Sequence, residues 1–273
     1  MNSKLHLISK LALSAVASMA LAGAARAQVT VASDLGSDPA YTAGNSFIGL
    51  NGGTGFQPWT DGAAYTKVGP PSGASSPETF ALWSGANSSA SEATAVRPFD
   101  APLSVGETFS ISQIYEYNTN AVSGFSLQDS LGDNLITIGA AVSYPTYTNG
   151  TPVTVTDASN PSGFNTGLYM DYGGGSRAFT NYAITIDSVT GGVTDYTLNI
   201  TGGDRTLPPA YNGSFDGTVS QVQLFQSNSV ATAGFETNNL QITSSVPEPA
   251  TYAAVLSGLG MLLGLQKFRS RKA

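Results

Sequence analysis

Residues 181–201 read NYAITIDSVTGGVTDYTLNIT, and their spacing decides the fold class. Tyr182, Ile184 and Ile186 alternate with Ala183, Thr185 and Asp187; beyond Gly191-Gly192, Tyr196, Leu198 and Ile200 alternate with Thr197, Asn199 and Thr201. A period of two puts every large apolar side chain on one face of an extended strand, and that face must be buried against another sheet. Phe109, Ile111, Tyr115 and Tyr117 repeat the pattern against Ser110, Ser112 and Glu116, as do Leu240 and Ile242 against Gln241 and Thr243. No stretch between residues 28 and 245 sustains a helical period. Roughly a dozen such strands, separated by turns such as Gly132-Asp133-Asn134, Asn149-Gly150 and Gly202-Gly203, predict an all-β chain: a β-sandwich or jelly roll.

The two ends read differently. Lys4 and Lys10 lead into an apolar stretch over 11–25, and Ala25-Arg26-Ala27 places small residues where a signal peptidase reads them. A secretory signal peptide over 1–27 is expected, cut between Ala27 and Gln28. At the other end Val246, Pro247, Glu248 and Pro249 precede an apolar run over 250–265 and the cations Lys267, Arg269, Arg271 and Lys272. Backbone around proline favours extension, so the motif reads as an accessible strip. The 16-residue run is short for a spanning helix, which usually takes about 17–25 residues, but Lys267 and Arg269 can snorkel to the interface. A short transmembrane helix with a cytoplasmic basic stop is expected.

Between these ends, 28–245 forms one expected domain of 218 residues, with seventeen carboxylates against four cations and hence a net charge of −13. Such a domain repels nucleic acid and anionic surfaces. The only histidine is His6, inside the signal peptide, and there is no cysteine. The mature chain therefore has no histidine base, no Ser-His-Asp triad, no cysteine nucleophile and no His/Cys zinc site.

Motif, span and basic end, in that order over 246–273, resemble the PEP-CTERM sorting tail of Gram-negative bacteria. That resemblance implies an exosortase, a membrane-embedded cysteine transpeptidase, as the partner that recognises Pro-Glu-Pro and cuts near it. It also implies a transient stay in the inner membrane and delivery to the cell surface or beyond. The basic end, KFRSRK, is mixed where many relatives carry an arginine run. The strings GFQPW (55–59), FALW (80–83), AVRPFDAPLSVGETFSI (95–111), GFSLQD (124–129) and FETNNLQIT (235–243) resemble the concanavalin A-like jelly rolls found in front of such tails. Lectins, hydrolases and inert modules share that fold, so it decides no activity.

Candidate sites are few. Glycosidases of this fold resemble one another in an E-x-D-x-E strand; no such string occurs here, and the glutamates at 78, 92, 107, 116, 236 and 248 stand apart. No catalytic residue, cofactor or metal ligand is assigned, and the chain is read as a non-enzyme. Asp129, Asp133 and Asn134 are read as a hydrated turn, since they lack EF-hand spacing. Trp59, Trp83, Tyr144 and Tyr147 are the candidate glycan contacts, though aromatics of a sandwich more often fill its core. The expected role is that of an exported surface or matrix protein associated with exopolysaccharide or biofilm; a surface lectin is the alternative, and a divergent polysaccharide-active enzyme the third reading.

Overall fold

Alternation becomes strands throughout. The computed structural model describes residues 26–42, 45–63, 66–69, 79–83, 93–115, 122–141, 152–169, 179–202, 210–227 and 234–247. Fifteen strands lie among them: β1 (Arg26–Asp34), β2 (Thr60–Ala63), β3 (Thr66–Gly69), β4 (Thr79–Trp83), β5 (Ala93–Pro98), β6 (Glu107–Tyr115), β7 (Val122–Gln128) and β8 (Asn134–Ala141). They continue with β9 (Pro152–Thr156), β10 (Phe164–Tyr169), β11 (Thr180–Thr190), β12 (Val193–Gly202), β13 (Tyr211–Asp216), β14 (Gln221–Ser227) and β15 (Gly234–Pro247). No helix long and apolar enough to cross a membrane occurs among the described residues.

The chain divides into a unit over Thr30–Ser244 and a second made of its two ends, of which only 26–29 and 245–247 are described. The larger unit holds two antiparallel sheets. One has the order β13-β12-β11-β6-β15-β4-β3, with β1 also paired to β15; the other has the order β10-β9-β8-β7-β14-β5-β2.

The stretch over 181–201 folds as read. Thr190 pairs with Val193 across the two-residue loop Gly191-Gly192, whose φ values of 63° and 91° are those of a type I′ hairpin turn. Tyr182, Ile184, Ile186, Tyr196, Leu198 and Ile200 all turn inward, as do Phe109, Ile111, Leu240 and Ile242 from the neighbouring strands. From the facing sheet come Phe125, Leu127, Ile136, Ile138, Val153, Val155, Val222 and Leu224, forming one continuous core. Rings bridge the layers: Phe125 meets Phe109 at 6.3 Å and Tyr182 edge-on at 5.6 Å.

The last strand departs from expectation. The alternating string FETNNLQIT stops at Thr243, but the strand runs on to Pro247, so the first two residues of the expected sorting motif lie in β15. Its pairing with β6 slips between Asn238 and Gln241, where Asn239 takes φ 54°. This bulge keeps Leu240 and Ile242 on the core side.

Candidate functional site

The parity that fills the inner face of the seven-stranded sheet also fixes its outer face. With Phe125 and Leu127 inward, Gly124, Ser126 and Gln128 of β7 face outward; with Val222 and Leu224 inward, Gln221, Gln223 and Phe225 of β14 do so. Thr137 and Gly139 of β8, Thr154 and Thr156 of β9, and Thr94, Val96 and Pro98 of β5 complete the face. Register brings Gln128 beside both Gln221 and Asn134. The Gln128 amide donates to Asn134 Oδ1 at 2.9 Å and Gln223 Oε1 at 3.1 Å, and Gln221 donates to Gln128 Oε1 at 3.0 Å. The hydroxyls of Ser126 and Thr137 meet at 3.0 Å. Phe225 lies against glycine: a Cβ at Gly139 would stand 3.1 Å from its Cζ.

A pair of catalytic carboxyls must stand about 5–5.5 Å apart for a retaining glycosidase and about 6.5–9.5 Å apart for an inverting one. None of these outward positions on β5, β7, β8, β9 and β14 holds Asp or Glu. Ser126, Gln128 and Thr94 are themselves buried here, so what the face presents is the half-buried amides of Gln221 and Gln223, the hydroxyls of Thr137, Thr154 and Thr156 and part of the Phe225 ring. That is chemistry for hydrogen-bonding a neutral, hydroxyl-rich ligand rather than for proton transfer.

Two carboxylates are instead committed to buried polar nodes. Asp34, at the end of β1, pairs with Arg97 of β5 at 2.8 Å, both side chains fully buried. Its oxygens also accept from the Tyr41 hydroxyl at 2.9 Å each and from Trp59 Nε1 at 3.2 Å. The guanidinium further donates to Asn51 Oδ1 at 2.6 Å, to Leu50 O at 3.3 Å and to Gln57 O, and lies against the rings of Phe56 and Trp59. Burial pushes the Asp34 carboxyl above its ordinary value despite the pull of Arg97, and pushes Arg97 below its own. Burial and the neighbouring carboxylate raise Tyr41 to about 12.

The second node is Asp157, just past β9. It accepts from Tyr196 of β12 at 2.6 Å, Tyr211 of β13 at 2.9 Å, Ser159 Oγ at 2.7 Å and the Asn160 amide N–H at 2.7 Å. A carboxylate from one sheet is thus held by two phenols of the other. Burial alone would raise its pKa, but these four donors outweigh it and hold Asp157 below the usual carboxylate range. Tyr196 and Tyr211 are raised, first by burial and then by the charge they bind. The approach needs Gly213, where a Cβ would fall 2.1 Å from Asp157 Oδ2.

Trp59 corrects one expectation. It is fully buried, packed on Phe47 and Phe80 at 4.9 and 5.0 Å, with its N–H spent on Asp34, so it presents nothing to a glycan. Trp83 closes β4, and its side chain lies outside the described residues, as do Tyr144 and Tyr147. At the expected signal-cleavage site, Ala27 and Gln28 are exposed on β1, which begins at Arg26; Ala25 lies outside the described residues. Val246 and Pro247 end β15, whereas Glu248, Pro249, Lys267, Arg269, Arg271 and Lys272 lie outside. At the Asp129 turn, Asp129 Oδ1 accepts the N–H groups of Leu131 and Asp133, both at 2.9 Å. Reading the residues in order missed the Asp34–Arg97 and Asp157 nodes. The available signal was parity: Arg97 continues the inward set Ala93, Ala95, and Asp34 follows Ala32.

No protein-family profile and no curated protein sequence matches the chain. Among solved structures it is similar to a glycosyl hydrolase family 16 protein from Mycobacterium smegmatis, at 12% identity over 78% of this chain and 100% of that one, with a TM-score of 0.42. It is also similar to a Bacillus licheniformis beta-glucanase, at 11% identity over 76% and 99% of the two chains, with a TM-score of 0.39. The exoplasmic/lumenal domain of VIP36, in a form bound to Ca2+ and Man2, is similar at 6% identity over 68% and 80%, with a TM-score of 0.41.

Proposed function

We propose that the protein is an exported, non-catalytic β-sandwich of the concanavalin A-like jelly-roll type, processed at its tail by an exosortase and deposited on the surface or in the extracellular matrix of a Gram-negative bacterium, in association with exopolysaccharide or biofilm. The observation that carries this reading is the order of signals at the two ends: a cleavable leader over 1–27, and Pro-Glu-Pro, apolar run and cations over 246–273. Its partners are then signal peptidase, exosortase and, transiently, the inner membrane. The absence of Asp and Glu from the outward positions of β5, β7, β8, β9 and β14 supports the non-catalytic part.

Fractionation of wild type and a P247A/E248A/P249A variant, in a host carrying an exosortase, tests the sorting. The variant is expected to remain uncut in the inner membrane. Proline donates no backbone hydrogen bond, so replacing Pro247 at the end of β15 removes none, and stability is expected to change by less than about 0.5 kcal/mol. Identical size and location for both proteins would break the reading.

A second reading, a surface lectin, is favoured by the uncharged outer face bearing Gln221, Gln223 and Phe225. A glycan array probed with wild type and a Q221A/Q223A/F225A variant tests it. Binding lost in the variant establishes the lectin; equal signals remove this face as its site.

A further inference from the structure

The turns at one end of the sandwich are tied together by backbone hydrogen bonds. Gly106 N–H donates to Ile186 O at 2.8 Å, Leu103 to Val219 O at 2.9 Å, Gly217 to Gly192 O at 3.0 Å and Ser220 to Gln128 O at 2.8 Å. The connections β5–β6, β7–β8, β11–β12 and β13–β14 therefore share that end. Three of them carry bare apolar side chains near their tips: Val105 is 57% exposed, Leu131 85%, Val189 48% and Val193 41%. These are valines and a leucine at turns where solvated polar residues are the ordinary choice.

The last strand also runs out toward the tail at this end. Ser244, last residue of the larger unit, pairs with Glu107, the first residue of β6 and the neighbour of Gly106. Only residues 245–249 separate it from the apolar run at 250–265. At about 3.3–3.6 Å per residue, the exit point stays within roughly 20 Å of that run.

We infer that, before the tail is cut, this end of the domain rests on the membrane surface, with Val105, Leu131, Val189 and Val193 dipping into the headgroup region. The inference depends on the proposed membrane tail. Each apolar tip gains by leaving water, and the short tether supplies an effective concentration that weak individual contacts lack. The same end carries Glu107, Asp129, Asp133, Asp187, Asp195 and Asp216, so the surface it fits is zwitterionic lipid, and anionic lipid repels it.

The chain has no cysteine, so single-cysteine variants can each carry one polarity-sensitive fluorophore. Leu131→Cys and Val189→Cys report the tips, and Ser257→Cys the apolar run. Asn199→Cys, exposed on β12 six residues beyond Val193 and so about 20 Å along the strand, serves as reference. The tail-bearing protein is placed in phosphatidylcholine vesicles containing a lipid-borne quencher. Quenching at 131 and 189 several-fold above that at 199 is expected, falling when anionic lipid is added while 257 stays quenched. Tips no more quenched than 199, with 257 quenched, overturn the docking and leave the tail reading standing. An unquenched 257 removes the tail reading, and the docking with it. Tip quenching that rises with anionic lipid overturns the choice of a zwitterionic surface.

Discussion

Asp34 and Asp157 are both buried carboxylates that join separated parts of the sandwich, yet they are held in opposite ways. Asp34 faces a buried guanidinium, with a phenol and an indole completing its shell. Among the described residues Asp157 has no cation on it and is held by two phenols, a serine hydroxyl and a backbone N–H. The first node desolvates two charges and recovers the cost only as a pair; the second desolvates one charge and returns it four donors. The difference shows in their ionisation. Asp34 sits above its ordinary pKa because burial wins; Asp157 sits below it because hydrogen bonds win.

The largest expected effect follows from breaking the pair. Arg97→Met leaves Asp34 buried without its cation, and urea unfolding is expected to show a loss of about 3–5 kcal/mol. Asp34→Leu combined with Arg97→Met removes both charges and should recover much of that loss. A double variant as unstable as the single one would show that packing, not charge, decides this node. At the second node, Tyr196→Phe deletes one charge-assisted donor and should cost about 1.5–3 kcal/mol. Gly213→Ala drives a Cβ into the same carboxylate and should cost about 1–3 kcal/mol, with the Asp157 bonds lengthened in a crystal structure of the variant.

Titration separates the nodes by sign. With Asp157 depressed, the unfolded chain binds more protons below its model value of 3.8, so this node's stabilisation is present above that pH and lost as pH falls through the folded pKa. With Asp34 raised, the folded chain binds more protons above 3.8, so its contribution declines as pH rises toward the folded pKa. Urea midpoints from about pH 2 to 6 should therefore rise and then fall. Asp157→Asn should remove the rising part and Asp34→Asn the falling part; either variant erasing the other's part would reverse the assignment. The smallest effect belongs to a hydrogen-bonded pair that water still reaches. Thr108 and Thr185 meet at 2.8 Å on half-exposed positions, and Thr185→Ala should cost only about 0.2–1 kcal/mol in the same assay.

The strands were legible because burial and spacing say the same thing at each position. Tyr182 through Ile186 and Tyr196 through Ile200 needed no tertiary information to be turned inward. The nodes were harder, since their partners lie far apart in the chain and a charged residue at an inward position is read first as an exposed one. Trp59 is the instructive case: its size and polar N–H fit a glycan platform, and the same N–H is what a buried Asp34 recruits. The candidate face was legible only as an absence, the missing E-x-D-x-E string; its Gln128 amide on β7 and its Gln221 and Gln223 amides on β14 meet only through register. The end of β15 is not legible in the sequence, because Ser244, Ser245 and Pro247 carry no alternating signal, although the backbone stays extended.

The pairing of β1 with β15 joins the first described strand to the last. Thr30 and Gln241 touch across 211 residues, and Asn238 accepts the Gly36 N–H across 202. However early β1 is made, its ladder partner is the last described strand of the chain. Loop-closure entropy opposes so distant a contact until the intervening strands have shortened the effective loop. This pairing can therefore close only late in folding, which makes the β1–β15 contact a reporter of a completed sandwich rather than a nucleus for it.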